Sequence, residues 1–260
     1  MNAIKNTIIN ILRRILPGGI RNKFFHLSFH LAHPEFEKFA HKYARAPNME
    51  FGLTAMAERG FLPMAIVDVG AFEGRWSKMA KQIWPSAQLF MIEPNVEKKT
   101  LLLEIAKDLN ARFFCELLGA ENDREVEFHL MESGSSVMEE RSAVPRKVEI
   151  HRLKRLDSIL SDIPSPALLK IDAQGYELEI LKGCSEIMSA FGAVLLEIAI
   201  IEINKGAPLL HEVVAFMKDR GFIAYDILEI HRRPLDGALN QVDIIFITEQ
   251  SPLIADKRHF

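Results

Sequence analysis

Three short stretches of this 260-residue chain carry an acidic residue where a buried strand runs into a polar turn. In the first, AIVDVGAFEG from Ala65, a strand (Ile66, Val67, Val69) meets a turn bounded by Gly70 and Gly74. Glycines there let backbone approach a ligand closely. The second, LFMIEPN, ends a strand on Glu93, about 20 residues past the glycine turn, where an acid can bind ribose hydroxyls. The third, LLKIDAQGYELEILKG, ends a strand on Asp172, then turns through Ala173, Gln174 and Gly175 into a helix with apolar Leu178, Ile180 and Leu181. Ligands of open parallel sheets sit beyond the carboxyl ends of the strands. A carboxylate placed there can act as a base, a hydrogen-bond anchor or a metal ligand.

Strand–helix alternation should position these groups. Strands are expected over 65–69, 89–92, 111–118, 167–171, 193–198, 222–227 and 242–247, with helices over 75–83, 96–109, 176–182 and 209–220. This pattern implies a parallel sheet covered on both faces. No helix separates the last two strands, so they should pair antiparallel. Two further segments, 125–130 and 147–153, alternate in hydropathy and read as half-exposed strands. The polar stretch 131–146 between them, with Ser135 and Ser136, is expected as a loop near the site.

Composition narrows the classes. A net charge of −3 and a pI near 6.3 argue against a nucleic-acid partner. Cys115 and Cys184 are too few for a disulfide framework and read as buried hydrophobes in a reducing, cytoplasmic setting. No apolar run is long enough for a spanning helix. Residues 1–34 lack acids yet carry Lys5, Arg13, Arg14, Arg21 and Lys23. Ile4, Ile8, Ile11, Leu12 and Ile15 recur at helical spacing, so residues 1–16 read as a basic amphipathic helix. Its apolar face suits a peripheral membrane contact, a homodimer contact or packing on the domain. Residues 1–60 are expected as a helical cap and 61–260 as the sheet domain.

The three motifs in this order resemble the FkbM-type methyltransferases, over about residues 64–249. The resemblance implies a class I methyltransferase fold: α/β, Rossmann-like, a mostly parallel seven-stranded sheet with an antiparallel last strand. It also implies S-adenosylmethionine as cofactor and a hydroxyl acceptor on a sugar, a glycan or glycolipid, or a secondary metabolite. By that resemblance Asp68, Gly70, Ala71 and Gly74 form the cofactor loop, and Glu93 and Asn95 the ribose side. Asp172 is expected as the catalytic carboxylate beside the cofactor, and Gln174, in the same turn, to bind the cofactor carboxylate or the acceptor. Some family members carry Val-Glu where this chain has Ala173-Gln174, which removes one charge.

Further candidates are weaker by type. Glu197 ends a very apolar strand and needs a partner there. It is expected to bind the acceptor, or to ligate a divalent metal with Asp172. His231 is a candidate base or ligand. Lys170 is expected to point away from Asp172 as a buried ion-pair partner. Glu177 suits a helix N-terminus. His26, His30, His33 and His41 lack a zinc spacing. Two alternatives stay open: a nicotinamide-dependent oxidoreductase, since Glu93 suits an NAD ribose equally, and a non-catalytic binding protein on the same fold.

Overall fold

A computed structural model describes residues 47–131, 134–141 and 145–259. The amphipathic segment 1–16, most of the expected cap and its four histidines lie outside these residues. The compact unit begins at Pro47. The helix expected at the end of the cap, α1 (Met49–Glu58), therefore belongs to the sheet unit.

The chain continues as β1 (Ala65–Val69), α2 (Arg75–Ile83), β2 (Gln88–Ile92), α3 (Lys99–Asp108), β3 (Arg112–Phe114) and β4 (Leu117–Leu118). Then follow β5 (Glu125–Leu130), β6 (Lys147–Lys154), α4 (Leu156–Ile159), β7 (Ala167–Ile171), α5 (Glu177–Lys182), β8 (Phe191–Ala199), α6 (Leu210–Lys218), β9 (Phe222–Arg232) and β10 (Leu239–Thr248). Seven strands form one sheet in the order β3-β2-β1-β7-β8-β10-β9. All neighbours are parallel except β10, which runs antiparallel to both β8 and β9. This is the class I methyltransferase sheet. The order reverses between β1 and β7, the switch point at which a crevice opens.

Both faces of the sheet are covered, which explains the continuous apolar strands. Val67, Leu169, Val194 and Phe246 face a core closed by Ile180 and Leu181 of α5 and by Val213 and Met217 of α6. Their neighbours Ile66, Leu168, Leu195 and Ile245 face a second core with α1, α2 and α3. Alternation across a strand sorts residues between the two.

One expectation is corrected. The single strand expected over 111–118 is broken at Cys115–Glu116. Its first half extends the main sheet, while Leu117–Leu118 pairs with β6 in a separate three-stranded sheet, β4-β6-β5. The apolar run is shared between two sheets, so hydropathy alone does not show the break. Among the described residues no helix is long and apolar enough to cross a membrane.

Candidate active site

A cavity of about 240 Å³ opens at the carboxyl ends of β1, β2 and β7. Gly70, Glu93, Asn95, Asp172 and Gln174 line it, together with the apolar side chains of Leu117, Leu118, Phe128, Val137 and Ile180.

Glu93 is fixed by backbone. Its Oε2 accepts the Phe72 N–H at 2.8 Å and its Oε1 the Asn95 N–H at 2.9 Å. Each oxygen keeps a second lone pair, so two vicinal hydroxyls can still be bound. Burial raises the Glu93 pKa, and the two backbone donors oppose that shift. Asn95 Oδ1 accepts the Glu97 N–H and caps the short 3₁₀ turn Val96–Lys98 that leads into α3.

The turn after β1 requires glycine at Gly70. Its φ is +76°, and a Cβ there would lie 2.1 Å from the Asp172 carbonyl oxygen. The ends of β1 and β7 therefore approach closely at the switch point. Phe72, not anticipated from the sequence, holds φ at +48° and adds its ring to the cavity wall, with Lys98 Nζ 4.3 Å from the ring centroid. Its only sequence signal is its place between the two glycines.

Three residues of the expected cofactor loop lie elsewhere. Asp68 is fully buried under the sheet end, where it accepts the Ser77 hydroxyl and pairs with Lys170 at 3.3 Å. Ala71 packs in the core beside α1–α3. Gly74 starts α2 with a left-handed φ, and Ile105 and Met91 fill the space beside it.

Lys170 overturns a second expectation. It and Asp172 are two residues apart, so they share a strand face. Lys170 Nζ lies 3.5 Å from Asp172 Oδ2, 3.3 Å from Asp68 and 3.0 Å from the Gly70 carbonyl oxygen. Burial alone would lower its pKa. The Asp68 and Asp172 charges more than reverse this and hold it above the ordinary lysine value.

The turn after β7 is braced by Glu177. Its Oε1 accepts the N–H groups of Ala173 and Gly175, so this buried acid, and not Asp172, secures the start of α5. Burial pushes its carboxyl up to about 7, against the pull of those backbone donors. The ordinary value is 4.5, so the folded protein holds a proton that the unfolded chain releases first. The stabilising contribution is complete below about pH 4.5 and is lost as pH rises through 7. The full loss is up to about 3 kcal/mol. Urea unfolding at pH 5 and pH 8 should show Glu177→Gln with a shallower decline than wild type, and equal slopes would refute this.

The loop after β5 reaches the cavity. Ser136 Oγ lies 3.2 and 3.0 Å from the Ala173 and Gln174 carbonyl oxygens and ties the loop to the β7 turn. Ser135 also lines the cavity, but its hydroxyl bonds within its own loop at Met131.

Gln174 links the cavity to a second polar cluster. Its Nε2 donates to Asp172 Oδ1 at 3.1 Å and to Glu197 Oε2. Gln241 Nε2 donates to the same Glu197 oxygen at 2.9 Å. Glu197 Oε1 faces His231 Nε2 at 4.0 Å, and that nitrogen is 2.6 Å from Asp243 Oδ2. Burial, then the charges of Asp172 and Asp243, raise the Glu197 pKa well above the ordinary value. The hydrogen bond to Asp243 raises that of His231. Glu197 and His231 are thus brought together beside the cavity, not in its lining. Asp243 and Gln241 were not foreseen. The signal for Asp243 is a lone acid in the apolar run VDIIFI.

The sequence matches the family model of the methyltransferase FkbM domain over residues 68–224. Among curated proteins none matches. A solved FkbM methyltransferase from Methylobacillus flagellatus KT is 13% identical with a TM-score of 0.46, covering 70% of this chain and 43% of its own. This chain thus spans less than half of that protein's length. Magnesium protoporphyrin IX methyltransferase from Synechocystis PCC 6803, solved with bound SAM, is 11% identical with a TM-score of 0.45, covering 76% of this chain and 77% of its own. Precorrin-6y C5,15-methyltransferase from Geobacter metallireducens GS-15 is 16% identical with a TM-score of 0.44, covering 76% and 87%. With residues 68–224 matched, more than half of its length, the chain belongs to the FkbM methyltransferase family.

Proposed function

We propose that this protein is an S-adenosylmethionine-dependent O-methyltransferase, acting on a hydroxyl of a sugar, a glycan or glycolipid, or a secondary metabolite. The observation that carries the reading is the cavity at the switch point, with the buried Glu93 on one wall and Asp172 on another. S-adenosylmethionine supplies, when bound, a methyl group on a sulfonium, an electrophile whose leaving group needs no proton. Its shape and polarity suit this chain. Glu93 offers lone pairs for both ribose hydroxyls, and the apolar wall from Leu117 to Ile180 suits a purine ring. The Gly70 turn borders the part of the cavity that would take the amino-acid end. Asp172 holds the acceptor hydroxyl in line and takes its proton, while Gln174 fixes the carboxylate. The acceptor enters on the Glu197 and His231 side. A membrane-adjacent or lipid-linked acceptor would suit the basic segment 1–16, and the acidic net charge suits an acceptor other than nucleic acid.

Calorimetry with S-adenosylhomocysteine, and NAD as control, tests the cofactor. Saturable binding of the former alone is expected, and binding of NAD alone would overturn the reading. Glu93→Ala should weaken that affinity roughly 10- to 100-fold, the scale of two charge-assisted hydrogen bonds. Wild-type affinity in that variant would remove Glu93 from the ribose site.

A further inference from the structure

We propose that Glu197, His231 and Asp243 form a binding site for a divalent first-row transition-metal ion beside the cofactor cavity. Three donor atoms on three adjacent strands, Glu197 Oε1 of β8, His231 Nε2 of β9 and Asp243 Oδ2 of β10, lie within 4.8 Å of one another. Small concerted shifts bring all three to one ion.

Two independent features favour a cation over a bare hydrogen-bonded cluster. The first is register. Glu197 and Asp243 are direct partners across the antiparallel β8–β10 pair, and both are largely buried. Like charges directly opposite each other destabilise a sheet, and Lys170, whose charge acts on Glu197, is shared with Asp68 and Asp172. The second is the fixing of Glu197 from behind. Gln174 and Gln241 both donate to Oε2, which leaves Oε1 directed at the imidazole. Outer hydrogen bonds of this kind orient metal ligands.

One imidazole and two carboxylates select the ion class. Calcium takes six to eight oxygens, and magnesium keeps mostly water and oxygen around it. A mixed nitrogen–oxygen set suits manganese, iron, cobalt or zinc. His231 is about one-third exposed, so solvent reaches the site and open positions remain on the ion. Gln174 bridges to Asp172, which places those positions beside the acceptor entrance. Binding of an acceptor oxygen by the ion rests on the methyltransferase reading, whereas binding of the ion does not.

Mn²⁺ is the probe, titrated into the metal-stripped full chain and followed by electron paramagnetic resonance. One ion per chain is expected, with spin-echo modulation from a single imidazole nitrogen. His231→Ala and Asp243→Asn should each weaken binding at least tenfold, while S-adenosylhomocysteine affinity serves as the control for folding. Absence of saturable Mn²⁺ binding in the wild type would overturn the proposal, as would a spectrum without nitrogen modulation. The wild-type spectrum decides even where a variant fails to fold. Failure of S-adenosylhomocysteine to bind, with Mn²⁺ still held, would count against the methyltransferase reading alone.

Discussion

Asp172→Asn is expected to lower kcat by roughly 10³-fold while changing S-adenosylhomocysteine affinity by only a few-fold. On the proposed O-methyltransferase reading, the size follows from the proton that an acceptor hydroxyl must lose, a step for which a positioned base contributes about 10²–10⁴. Asparagine keeps the volume and keeps a carbonyl oxygen for the Gln174 amide, whose nitrogen lies 3.1 Å from Asp172 Oδ1. It removes the charge and the basic site. Turnover and affinity should therefore separate, since Glu93, the proposed ribose anchor, stands at a different strand end of the cavity. Initial rates and calorimetry on the same preparation measure both quantities. Turnover at the wild-type rate would exclude Asp172 as the base and leave Glu197 as the carboxylate next in line.

Most of the scaffold was legible because both faces of its sheet are buried. Strands β1, β2, β7 and β8 are mostly apolar runs, interrupted only by Asp68, Gln88, Lys170 and Glu197, and each is followed by a turn or loop and a periodic helix. The pairing of the last two strands followed from the missing helix between them. What hydropathy could not show was a change of partner. Phe113 and Phe114 pair with β2, whereas Leu117 and Leu118 pair with β6. An apolar side chain is buried in either sheet, so the break at Cys115–Glu116 leaves no mark on the pattern.

The candidate site was legible where an acid closes a strand. Glu93 and Asp172 each stand just past the end of a strand, Glu197 lies two residues inside the end of β8, and Gly70 stands where backbone must approach backbone. Residues whose roles depend on cross-strand register were not legible. Asp243 matters because antiparallel pairing sets it opposite Glu197, and Gln241 because the same pairing brings its amide to that carboxylate. Asp68 shows the converse. It sits two residues before Gly70, close in sequence to the cavity, yet its side chain lies under the sheet end against Lys170 and Ser77.

That buried arrangement carries the largest expected effect on stability. Lys170→Met should destabilise the fold by about 3–5 kcal/mol, the usual result of removing one partner of a buried ion pair. Methionine matches the length of the side chain, so lost volume contributes little. Asp68, fully buried, would keep only the Ser77 hydroxyl on one oxygen, while its other oxygen would lose the ammonium at 3.3 Å. The carbonyl oxygen of Gly70 would lose its donor at 3.0 Å in the same change. Protonation of Asp68 can relieve part of the cost and keeps it within this range. The double variant Asp68→Asn/Lys170→Met removes both charges and should recover about half of the loss. Denaturant midpoints of the wild type, both single variants and the double variant complete the cycle. A single Lys170→Met variant within about 1 kcal/mol of wild type would show that the pair is not a structural keystone of the β1–β7 junction.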